Sequence, residues 1–120
     1  MFHRPDKFLA WLLAAAALYA GGAAHAAAAD TPLTRSIQTL GELNGRALAC
    51  KHMALAARLR EIIIDHAPKE RSVGELYEQA TSQSYLQQGQ SASSCPDGKQ
   101  LAADISLAET RLKAAQGASQ

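Results

Sequence analysis

Four side chains carry the groups from which a metal site or a nucleophile is built: Cys50, His52, His66 and Cys95. Cys50 and His52 stand in "RALACKHMALA", residues 46–56, and Cys95 stands in the polar stretch "GQSASSCPDG", residues 89–98. Two thiolates and two imidazoles suit zinc or copper. Their spacing does not, because C-x-H is not the paired clip of structural zinc sites. A c-type haem would need C-x-x-C-H, which the chain lacks. His66 ends an apolar stripe at the C-terminus of an expected helix, where the dipole favours a cation without any metal. As a nucleophile, Cys50 would need a general base beside it. His52 is two residues on, and side chains at i and i+2 of a helix diverge. The remaining reading is covalent. Two cysteines in a small exported domain point to one disulfide, and closing the loop between Cys50 and Cys95 stabilises by about 4 kcal/mol in the chain-entropy picture. The alternative is a metal-binding or thiol-based periplasmic protein that uses Cys50, His52, His66 and Cys95.

The compartment is read from the first residues. "MFHRPDKFLAWLLAAAALYAGGAAHAAAAD" opens the chain with Arg4 and Lys7, continues with an unbroken apolar run from Phe8 to Ala20, and then offers Ala24-His25-Ala26. A basic flank, an apolar core and an A-x-A site make a secretory signal peptide. The run falls short of the roughly 20 residues that span a bilayer. Residues 1–26 are therefore expected to form a helical signal peptide, cleaved after Ala26, with Ala29 as a second site of the same kind. Residues 27–31 read as a flexible lead-in, 32–116 as a single helical domain and 117–120 as a frayed tail. No stable membrane anchor is expected after cleavage, and the location is periplasmic or secreted. Arg4, Lys7 and Asp6 leave with the signal, so the remaining ten basic and ten acidic side chains balance. A chain without excess charge is a poor nucleic-acid partner.

Helical periodicity runs through the mature chain. Thr31-Pro32 reads as an N-cap followed by proline at the first helical position. Leu33, Ile37, Leu40 and Ala47 then share one face. Asn44 falls on that stripe and Asn44-Gly45 is also a turn dipeptide, so either the helix breaks there or Asn44 is a polar group facing the core with a hydrogen-bond partner. A break or kink somewhere in 45–52 is expected over one continuous long helix. Leu55, Leu59, Ile62, Ile63 and His66 form the next stripe, which Pro68 ends. "SVGE", residues 72–75, has the form of a capping box with Ser72 at the N-cap. Val73, Leu76, Tyr77, Ala80 and Ser84 follow as an inward face, and Gly89 closes the helix. The last stripe is Leu101, Ile105, Ala108 and Leu112, with Asp97 near its start. No alternating strand pattern or internal repeat interrupts this. The fold expected is an all-α bundle of three to four helices stapled by one disulfide.

Two smaller features remain. Gly41 and Gly45 have the small-xxx-small spacing that lets another helix approach closely. Tyr85 and Leu86 leave the inward stripe beside the Ser/Gly loop and form a candidate partner surface. No G-x-S-x-G, Gly-rich phosphate loop or H-E-x-x-H is present, so no catalytic residue, cofactor or metal is expected. In size, export signal, helical content and one long-loop disulfide, the chain resembles two kinds of protein. One is the periplasmic acid-stress chaperones. The other is the periplasmic immunity proteins that neutralise type VI secretion amidase effectors, a likeness carried by "LREIIIDHAPKERSVGELYEQA", residues 59–80. That segment is an apolar helix, a proline break and a second helix between the two cysteines. Both resemblances imply a non-enzymatic protein that acts by binding another protein, chaperone-like or inhibitor-like.

Overall fold

The computed structural model describes residues 30–91 and 94–119. The signal peptide expected over 1–26, its cleavage site at Ala26 and all but Asp30 and Thr31 of the lead-in lie outside them. The compact unit that begins at Pro32 contains four helices: α1 (Pro32–Ala49), α2 (Met53–His66), α3 (Arg71–Gln90) and α4 (Gly98–Ser119). No strand occurs among the described residues. The all-α bundle with a Cys50–Cys95 bridge is the observed architecture.

α1 is the hub. It packs against each of the other three helices, α2 also packs on α4, and α3 lies on α1 alone. Ile37, Leu40, Leu43 and Ala47 of α1 meet Leu59 and Ile62 of α2 and Leu101, Ile105 and Leu112 of α4 in one buried cluster. α3 reaches that cluster only through the half-buried Val73, Leu76 and Tyr77.

The two glycines explain how α3 seats on α1. A Cβ on Gly41 would stand 2.7 Å from both the Ala80 Cβ and the Tyr77 carbonyl. One on Gly45 would stand 2.6 Å from the Ser84 Cβ and would collide with the Thr81 carbonyl. Ala80 and Ser84 repeat the small-xxx-small spacing on α3, so the two backbones approach with almost nothing between them. Two polar bonds fix the register: Asn44 Nδ2 donates to Thr81 Oγ1 at 3.2 Å, and Ser84 Oγ donates to the Glu42 carbonyl at 2.6 Å. Asn44-Gly45 therefore continues as helix rather than turning.

The break falls at 50–52. The His52 N–H donates to the Ala47 carbonyl at 2.8 Å and the Lys51 N–H to the Leu48 carbonyl at 3.2 Å, the pairing of a Schellman C-cap. Lys51 takes the left-handed position with φ 60°, which costs a non-glycine roughly 1–2 kcal/mol. Cys50 lies at this corner, and its bridge to Cys95 spans a Cα–Cα distance of 5.6 Å. The corner after α1 is thereby tied to the residues that lead into α4.

One boundary differs from expectation. α3 starts at Arg71, with Glu70 at the N-cap and no side-chain cap bond. Ser72 is thus inside the first turn and the capping box does not form. Its acid, Glu75, instead receives Arg71 Nε at 2.8 Å in an exposed i,i+4 pair. At the other end, α4 runs to Ser119. Ala115 is buried there, and Gln116 Nε2 donates to the His66 carbonyl. Those contacts hold the last turn on the end of α2. The cap that does form is Asp97, whose Oδ1 accepts the Lys99 N–H at 3.4 Å at the start of α4.

Candidate functional site

The four residues first considered for chemistry are not brought together. Both sulfurs are consumed in the disulfide, and no cysteine is free. His52 Nε2 sits 3.1 Å from the Pro96 carbonyl, so that nitrogen carries a proton and donates. Its ring also packs over Gly98 at the start of α4. His66 lies at the far end of α2, and fourteen residues of helix separate the two imidazoles by roughly 20 Å. A four-ligand site from Cys50, His52, His66 and Cys95 is therefore excluded by geometry. His66 instead faces Glu109 at 3.8 Å, where Arg58 at 3.7 Å and Lys113 at 3.9 Å converge on the same carboxylate. That cluster clamps α2 onto α4.

The site that the fold does build lies between α2 and α3. Both helices sit on α1, yet their backbones stay more than 8 Å apart, Cα to Cα. A groove of about 890 Å³ runs between them, floored by Asn44 and Leu48 of α1. One wall is a second stripe of α2: Met53, Ala57, Arg60 and Ile64, at helical spacings of four, three and four. Met53 and Ile64 are 60% and 55% exposed, large apolar side chains left outside the core. The facing wall is Gly74, Glu78 and Thr81 of α3, at the same spacing. Tyr85 continues that wall one turn on, whereas Leu86 is turned about 100° further round the helix. Both are exposed, but only Tyr85 is in line with the groove. A smaller hollow of about 490 Å³ lies between the start of α1 and the end of α4, and its apolar lining is only alanine and Pro32.

Polar groups in the α2–α3 groove are incompletely paired. The Tyr77 hydroxyl is buried and has no hydrogen-bond partner among the described residues. Burial pushes its pKa up from 10.0 to about 12, against the opposing pull of the Arg60 guanidinium. Arg60, Glu61 and Glu78, all exposed on the rims, make no hydrogen bond or ion pair among the described residues. Elsewhere Arg58, Arg71, Glu75, Glu109 and Lys113 are all paired.

Sequence reasoning placed the α2 core face correctly and missed the second stripe. The signal was there in "III", residues 62–64. Three consecutive isoleucines cover about 200° of a helix, more than one core needs. Ile62 is buried, Ile63 is half-buried at the groove floor and Ile64 stands on the rim.

Comparison with protein-family models, curated proteins and solved structures finds no match to this chain. The likeness to acid-stress chaperones and to immunity proteins accordingly rests on the residue pattern alone.

Proposed function

We propose that this is an exported, non-enzymatic helical protein that acts by binding another protein, and that the α2–α3 groove is where it binds. The observation that carries this is the second apolar stripe of α2. Met53 and Ile64 are held open to solvent because α3 seats on the glycines of α1 and does not close over them. An apolar groove rimmed by charge is the surface on which helical proteins take partners. Export to the periplasm or beyond is supported by the pattern of residues 1–26. It is also supported by the disulfide, which persists in oxidising compartments. No helix among the described residues is long and apolar enough to cross a membrane.

The test uses substitutions that leave the core alone. The protein is immobilised and exposed to the envelope fraction of the exporting cell. Ile64→Arg, on the groove rim, should abolish capture with an unchanged thermal transition. Tyr85→Ala should weaken capture, and Leu86→Ser should leave it intact. Capture by Ile64→Arg equal to that of the parent protein would place the binding surface elsewhere.

A further inference from the structure

Resting on the reading of the α2–α3 groove as a binding surface, we infer that its occupant is an amphipathic helix of a partner protein. Its apolar stripe is edged by Lys or Arg on both flanks and carries one central acidic side chain.

The shape selects a helix. Floor and walls are all helical, with their backbone groups bonded internally, so no strand edge is offered to an extended peptide. The wall from Met53 to Ile64 is eleven residues long, or roughly 16 Å, which matches three turns of a bound helix. Ala57 and Gly74 on opposite walls are small enough to let a helix backbone settle between them. Met53 and Ile64 at the two ends give that helix apolar contacts at both of its own ends.

The charges select the flanks. Glu61 stands on the α2 rim and Glu78 on the α3 rim, and neither is paired within the described residues. A helix lying between them presents one flank to each, and a basic residue on each flank meets a waiting carboxylate. Arg60, on the α2 wall between Ala57 and Ile64, faces the stripe itself and is likewise unpaired. One carboxylate in the middle of the occupant's stripe answers the guanidinium. Charge arranged in this way chooses between helices of equal hydrophobicity, because the wrong sign leaves like charges facing each other.

The probes are two synthetic fourteen-residue helical peptides with the same Leu/Ala stripe. One has lysines on both flanks and a central glutamate; the other has glutamates on both flanks and a central lysine. Binding to the purified protein is measured by calorimetry, and the surface protected is mapped by amide exchange. The lysine-flanked peptide should bind at least tenfold more tightly and protect Met53–Ile64 and Gly74–Thr81. The double variant Glu61→Lys/Glu78→Lys, altered only at exposed rim positions, should reverse the preference. Equal binding of the two peptides, binding of neither, or protection of another face overturns the inference. So does a protein that protects its own groove in a concentration-dependent dimer, since the occupant is then a second copy. If capture from the envelope fraction is lost in Ile64→Arg while the peptides show no charge preference, the groove stands as the binding surface and the inference alone fails.

Discussion

The Tyr77 hydroxyl is the one buried side-chain polar atom without a partner among the described residues. Leaving such a donor unmade costs about 1–3 kcal/mol, while the ring itself packs against the core. Tyr77→Phe keeps the ring and removes the orphan. It should raise stability by about 1 kcal/mol in urea unfolding at neutral pH. A loss of more than that would reveal a partner for the hydroxyl. The same residue sets a pH dependence. Its folded pKa is raised to about 12 by burial, opposed by Arg60, while the unfolded value is near 10.0. Above pH 10 the unfolded chain therefore releases a proton that the folded chain still holds, and stability falls as pH rises. The contribution is whole below pH 10 and is lost by about pH 12. Tyr77→Phe should lack that decline in an unfolding series from pH 9 to 12. Equal slopes in the two proteins would mean that the phenol is solvated.

Glycine stripes set the spacing between elements here. In isolation Gly41 and Gly45 weaken α1, since mid-helix glycine costs roughly 1 kcal/mol against alanine. What they allow is the seating of α3 against backbone, with Ala80 and Ser84 filling the space a Cβ would need. Gly45→Ala should therefore destabilise by about 1–3 kcal/mol, as overpacking does, despite its gain in helix propensity. Gly89→Ala is the control, because a Cβ there meets nothing within 4 Å. It should be neutral or stabilising by up to about 1 kcal/mol. Thermal unfolding of the two variants separates close packing from propensity, and a Gly45→Ala variant as stable as the parent would show that the helices can slide apart. The small-xxx-small motif was legible in the sequence, but its user was not. Any helix in the bundle could have taken that face, and only the close approach of Ala80 and Ser84 to the two glycines, in the register set by the hydrogen bonds of Asn44 and Ser84, identifies the mate. The capping box was misread for a related reason. Ser72 and Glu75 fit a local pattern, yet the chain enters α3 two residues earlier, with Glu70 at the N-cap, and Arg71 takes Glu75 instead.

Across the whole molecule the disulfide acts as a tie between α1 and α4. Those helices already share a core, and the Glu109 cluster holds α2 to α4 independently. Reduction, or Cys95→Ala, should thus keep the helical content while lowering stability by a few kcal/mol, toward about 4 in the loop-entropy limit. Unfolding in urea with and without reductant measures it. Thiol labelling of both cysteines in the native protein would show that the bridge is absent in solution. The all-α bundle and the Cys50–Cys95 bridge were determined by sequence alone, and the break only as the range 45–52, since Asn44-Gly45 stays helical and the corner forms at Lys51. Period 3.6, Pro68 and two cysteines in one small chain each have one economical physical solution. The groove was decided only by tertiary structure. Periodicity shows that Met53, Ala57, Arg60 and Ile64 share a face, but not what covers it. That depended on how far α3 lies from α2, which is set by two glycines on a third helix.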